Sequence, residues 1–114
     1  MRSEQDPAKE IWKIKDAIGQ IYLRFGPLTP KQLQVLLTAS IAFDNGTEIG
    51  MIADDLKMSH RSVKVHIRNI NKILGSDKHE IISMETRLTN AGNEYTHVSL
   101  TRIGKSLIAD SVTK

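Results

Sequence analysis

Apolar residues recur every third or fourth position early in the chain: Ile11, Ile14, Ile18, Ile21 and Phe25, with polar residues opposite. That period predicts an amphipathic helix. Asp6-Pro7 reads as its start, Asp as N-cap and Pro at the first helical position, and Gly26-Pro27 as its stop. Thr29-Pro30-Lys31-Gln32 opens a second helix, a Thr cap followed by Gln as in a capping box. Leu33, Val35, Leu36, Leu37, Ile41 and Phe43 make this helix apolar nearly all round, which predicts the buried centre. Asp44-Asn45-Gly46 is a turn. Residues 50–57 read as a short helix with Ile52, Ala53 and Leu56 inward. A tight break at Lys57-Met58 follows. Ser59 then caps a fourth helix ending at Gly75, read as a left-handed stop.

Beyond Gly75 the apolar period shortens to that of a strand. Ile82, Met84, Thr86 and Leu88 alternate on one segment, Thr96, Val98 and Leu100 on the next. Thr89-Asn90-Ala91-Gly92-Asn93 joins them as a hairpin loop. Thr101 caps a last short helix with Ile103, Leu107 and Ile108 turned inward. The expected fold is mainly α with a small β-hairpin, a winged helix-turn-helix. Residues 1–27 form an N-terminal helix and candidate dimerisation arm, and residues 28–114 the winged helix-turn-helix domain.

Composition narrows the class. With 114 residues, 39% apolar and 25% charged, the chain has the balance of an ordinary globular domain. It contains no cysteine, which excludes disulfides, thiol nucleophiles and thiolate metal sites and fits a reducing compartment. No apolar run approaches the roughly 18 residues of a membrane helix, and the first ten residues are too polar for a signal peptide. A cytoplasmic protein without a membrane partner is expected. The formal net charge of +3 hides a segregation: residues 57–75 carry Lys57, Arg61, Lys64, Arg68 and Lys72 and no carboxylate. The other 11 cations face all 13 carboxylates.

That cationic block falls on the fourth helix. At about 100° per residue, Val63, Ile67, Ile70 and Leu74 lie within about 60° of one another, a buried stripe. Arg61, Arg68, Lys72 and Val65 fall about 140–200° from Val63, with Lys64 flanking them. A short bracing helix, a tight break and a cationic ridge are the parts of a helix-turn-helix, whose second helix fits a major groove. Arg or Lys can bond guanine edges there and Val65 can touch a thymine methyl, while the amides after Ser59 suit a phosphate. The candidate DNA-binding residues are Ser59, His60, Arg61, Ser62, Lys64, Val65, Arg68 and Lys72, and on the hairpin Arg87, Asn90 and Asn93. The blander reading of the ridge is a solvated face. The hairpin serves either a DNA contact or only completion of the core.

The whole chain resembles a MarR-type winged-helix transcription regulator, through motifs that together cover most of residues 28–108. Leu28-Thr29-Pro30-Lys31-Gln32-Leu33-Gln34-Val35-Leu36 resembles that family's second helix, and Ile52-Ala53-Asp54-Asp55-Leu56 with Ser59-His60-Arg61-Ser62-Val63 its helix-turn-helix. Val98-Ser99-Leu100-Thr101-Arg102-Ile103-Gly104 resembles the end of its wing and the following helix. Residues 52–75 are also similar to the LuxR/GerE helix-turn-helix and to the winged OmpR-type domain; LuxR/GerE domains have no hairpin, so residues 80–101 lie outside that likeness. These resemblances imply sequence-directed binding of double-stranded DNA through residues 59–72. The MarR likeness also implies a homodimer on a two-fold operator.

For the dimer contact the sequence offers Ile11, Ile14, Ile18, Ile21 and Phe25, a coiled-coil-like seam with Trp12 and Tyr22 beside it. The alternative is that the seam packs only on its own domain. His60 and His66 are not at a one-face ligand spacing, His79 and His97 are far apart, and no metal-site motif is present, so no metal or cofactor is expected. Asp54-Asp55 diverge by about 100° on a helix and read as solvated surface. With no P-loop and no G-x-S-x-G, an enzyme is not expected. Competing readings are a winged-helix protein-interaction module and a DNA replication or recombination accessory protein. The sequence assigns no small-molecule effector.

Overall fold

The computed structural model describes residues 7–76 and 78–112; Asp6, the expected first N-cap, lies outside them. The element order is α1 (Pro7–Phe25), α2 (Pro30–Ile41), β1 (Thr47–Glu48), α3 (Ile49–Leu56), α4 (His60–Leu74), β2 (Ile82–Leu88), β3 (Glu94–Leu100) and α5 (Arg102–Val112). The fold is a winged helix, mainly helical with a small antiparallel sheet ordered β1-β3-β2.

Local chemistry sets most of the boundaries. Gln32 N–H donates to Thr29 Oγ1 at 3.2 Å and Thr29 N–H to Gln32 Oε1 at 2.9 Å, closing the capping box of α2. Lys57 takes a left-handed conformation (φ 55°) between α3 and α4. Its amide turns back to Asp54 and that of Met58 to Ala53, satisfying the last carbonyls of α3. Gly104 N–H donates to Thr101 Oγ1 at 3.0 Å, so Thr101 caps α5 as expected.

Four expectations need correction. The segment after Asp44-Asn45-Gly46 is strand before it is helix: Thr47 and Glu48 pair with Val98 and His97, giving three strands instead of two. Two residues are too few to show a period. Gly75 is extended (φ −101°), not left-handed. A glycine is needed there because a Cβ would collide with the His79 carbonyl and sit 2.7 Å from that of Asn71. Ile41 ends α2 at 85% exposure, so that helix buries Val35, Leu36 and Ala39 but is open at its C-terminal end. Ile103 points outward on α5, where Ile108 supplies the buried contact.

The core gathers Leu36 and Val35 of α2, Ile52 of α3, Val63, Ile67 and Ile70 of α4, and Ile81, Ile82 and Val98 of the hairpin, all essentially inaccessible. Beside this apolar stripe, the Asn71 side chain clamps α4 to the start of β2. Its Oδ1 accepts from Ile81 N–H at 2.8 Å and Ile82 N–H at 2.9 Å, and its Nδ2 donates to the Ile82 carbonyl at 2.9 Å. These bonds satisfy backbone groups where α4 passes into the wing.

Replacing Asn71 with leucine removes all three bonds and strands two backbone amides. At about 1 kcal/mol per bond plus the desolvation of unpaired groups, Asn71→Leu is expected to lower stability by about 3 kcal/mol, read as a fall in the urea midpoint.

Candidate nucleic-acid interface

The stripe of Val63, Ile67 and Ile70 and the Asn71 clamp together fix the rotation of α4 about its axis. With those groups inward, Arg61, Arg68 and Lys72 are exposed on the far side, beside Val65 at 42% exposure. Among the described residues, the ion pairs are Lys13 with Glu10 and Arg87 with Glu85, and none involves an α4 cation. An α-helix carrying unpaired cations on the face opposite its core stripe presents a ready polyanion-binding surface.

The N-terminal end of the helix is built by Ser59. Its hydroxyl oxygen accepts from Ser62 N–H at 3.0 Å, and its O–H reaches Ser62 Oγ at 3.1 Å. Both serine hydroxyls therefore hold the first turn in place, while the helix end leaves positive amide dipoles toward solvent. His60 and the half-buried Lys64 face another way. They line a cleft of about 430 Å³ between α4 and the wing, together with Gly50, Thr86, Tyr95 and Thr96. Gly50 permits this approach, since a Cβ there would lie 2.9 Å from Glu48 Oε1 and 3.5 Å from His60 Nε2. Gly50, Thr86, Tyr95 and Thr96 were not candidates from the sequence. They come together only once the wing folds back beside α4, and nothing in their spacing signals it.

The wing is electrostatically occupied. Arg87 Nε donates to Glu85 Oε1 at 2.6 Å, and this hydrogen bond raises the guanidinium pKa further. Asn90 and Asn93 sit at the exposed tip. The loop is closed by Thr89 N–H to the Asn93 carbonyl at 2.8 Å and by Gly92 in a positive-φ conformation.

Of the five seam residues on α1, Phe25 is buried in the domain's own core at 3% exposure and Ile21 is half-buried against it. Phe25 is thereby removed from any partner surface. Ile11, Ile14 and Ile18 remain about 60% exposed. Beyond its base the seam therefore does not pack on its own domain. Among the described residues, no helix is long and apolar enough to cross a membrane, and no group of three His, Asp or Glu side chains is placed to hold a metal ion.

No protein-family model matches the chain, and no curated protein does. Solved structures similar in fold include the following two. One is a possible transcriptional regulator from Methanosarcina mazei Go1, with TM-score 0.51 and 15% identity, over 88% of this chain and 77% of that one. The other is the YusO protein from Bacillus subtilis, with TM-score 0.50 and 13% identity, over 95% of this chain and 77% of that one. At these identities the likeness concerns the fold alone, in keeping with the winged helix described above.

Two measurements separate the roles of these residues. Ser59→Ala removes the cap and is expected to lower stability by about 1 kcal/mol in thermal or urea unfolding. Arg87→Ala is expected to leave the unfolding midpoint unchanged in the same assay, because its ion pair with Glu85 is exposed to water and contributes little.

Proposed function

We propose that this protein is a sequence-specific, double-stranded-DNA-binding transcriptional regulator of the MarR type. It acts as a homodimer and places α4 in the major groove. The observation that carries this reading is the row of unpaired cations on a helix whose opposite face is locked into the core. Arg68 and Val65, at the centre of the ridge, read base edges. Arg61 and Lys72 neutralise flanking phosphates, and the amides after Ser59 receive another. The wing, with Arg87 held by Glu85, stays off the backbone charge and mainly braces α4. The reading assigns the protein no catalytic step.

The exposed arm supports the homodimer. Trp12 and Tyr22, residue types that bury about 150–250 Å² each, are 65% and 71% exposed. With Ile11, Ile14, Ile18 and Leu23 they offer on the order of 400–500 Å² of apolar surface per arm. Covering two arms and the surfaces that meet them amounts to an interface on the order of 1,600–2,000 Å², the size of a stable complex. A two-fold dimer then presents its two α4 helices to half-sites about one helical turn apart.

The test is a combined Arg61→Ala, Lys64→Ala, Arg68→Ala variant assayed against a binding site selected from random duplexes. The side chains lie on the outer face and in the wing cleft, so the circular dichroism spectrum and unfolding midpoint should match wild type. Binding should fall by at least a hundredfold. For three to five phosphates neutralised per protomer, the slope of log K against log salt should be about −3 to −4.5 per protomer, flattening by about 1 in the variant, which loses the Arg61 phosphate contact. A folded variant that binds as well as wild type refutes the assignment. Failure of selection to enrich any sequence would point instead to an interaction module.

A further inference from the structure

Two apolar surfaces on this protein lie open at once. One is the arm. Along α1, at about 100° per residue, Ile14, Ile18, Ile11 and Tyr22 share an arc of about 80°. Ala8, Gly19, Trp12 and Leu23 form a second stripe about 60–120° from Ile11. A simple two-helix seam needs only one narrow stripe. This helix is therefore shaped to be covered from two sides. The other surface is a groove of about 540 Å³ between α2 and α5, lined by Leu37, Thr38, Ile41, Phe43 and Ile108. Ile41, 85% exposed, forms its rim. It also borders a smaller hollow of about 200 Å³ lined by Thr38, Ala42 and Met51, the last 62% exposed.

We infer that this groove is the receptor for the Trp12 stripe of a second copy's α1, so that each protomer of the dimer holds the other's arm. The inference rests on the dimer reading above and adds the surface that receives the arm. A protomer's own arm does not occupy its own groove: no α1 residue lines it, and Trp12 is 65% exposed. α1 leaves the body at Phe25, which is buried, and Leu28 N–H bonds the Phe25 carbonyl at 2.9 Å, fixing the exit. Trp12 stands 13 residues further along the helix. At 1.5 Å per residue that is about 20 Å from the anchor.

Charge agrees with this occupant. α1 carries Lys9, Lys13, Lys15 and Arg24 against Glu10 and Asp16, a net excess of cations. Lys15 lies between the two apolar stripes, its ammonium 4.5 Å from the centre of the Trp12 ring. The exposed Asp55 lines the adjoining hollow, and the exposed Asp44 and Asp110 are next in sequence to Phe43 and Ala109, which line the groove. Near them Lys105 is turned toward the Asp44 carbonyl and the Phe43 ring. An arm bringing an aromatic and a nearby ammonium suits an apolar slot with an acidic margin. A two-fold axis makes the contact reciprocal, with both grooves filled and no apolar end left over.

The chain contains no cysteine, so introduced thiols report without background. Trp12→Cys and Ile41→Cys variants are prepared separately, mixed and oxidised. A disulfide-linked heterodimer should form at least tenfold faster than either variant links to itself. Ile41→Asp should weaken self-association at least tenfold in analytical ultracentrifugation while leaving the monomer's unfolding midpoint, read at a concentration where wild type is dissociated, unchanged, since in the monomer this side chain is already in water. If wild type sediments as a dimer but the mixed pair does not cross-link, or Ile41→Asp associates normally, the dimer stands and the groove assignment falls. A wild type that stays monomeric at micromolar concentration removes both. An intramolecular disulfide in the monomer of a Trp12→Cys, Ile41→Cys double variant also overturns it.

Discussion

The direction in which one helix faces governs what this molecule can do, and that direction is set by the contact between α4 and the start of the wing. Val63, Ile67 and Ile70 hold one side of the helix in the core, yet a greasy stripe alone tolerates some rolling. Asn71 removes that freedom. Its three hydrogen bonds to the backbone of Ile81 and Ile82 are directional, and they tie the helix's last turns to a strand that is itself paired along its length. A roll of α4 would break these bonds and leave buried backbone groups unsatisfied. The cations on the far side are thus carried on a rigid frame, so little ordering remains to be done when a polyanion arrives.

Two kinds of surface are kept apart on this frame. The α4 ridge is cationic, with no carboxylate partner among the described residues, while the arm and the α2–α5 groove are apolar and open. Separation matters because an exposed apolar strip and a cationic strip recognise different partners and fail differently: salt weakens the second and hardly touches the first. Here the arm leaves the body at Phe25 and carries its apolar residues away from the domain, and the molecule's longest dimension reaches 53 Å.

The wing departs from an obvious design. A hairpin beside a cationic helix is well placed to add cationic contacts, and here its arginine is hydrogen-bonded to Glu85 two residues earlier on the same strand. Ile82, Val98 and Leu100 of the hairpin complete the core, and β1 adds a short third strand on its other edge. The cleft lined by His60, Lys64, Thr86 and Tyr95 follows from that arrangement.

Periodicity and capping chemistry in the sequence were sufficient to determine the helices, the helix-turn-helix, the hairpin and the outward cationic ridge, because these depend on neighbours within about four residues or on strict alternation. The Thr29 capping box, the Ser59 cap and the Val63 stripe stand where their spacing puts them. Tertiary structure alone decided that Thr47 and Glu48 become a strand, that Gly75 is needed for a close approach to His79, and that Asn71 clamps the wing. It also decided that Phe25 belongs to the core while Ile11, Ile14, Ile18 and Ile41 stay in water. Each of these turns on which distant backbone or side chain comes alongside. An isoleucine at helical spacing has the same local signature whether its apolar face meets its own domain or is left for another.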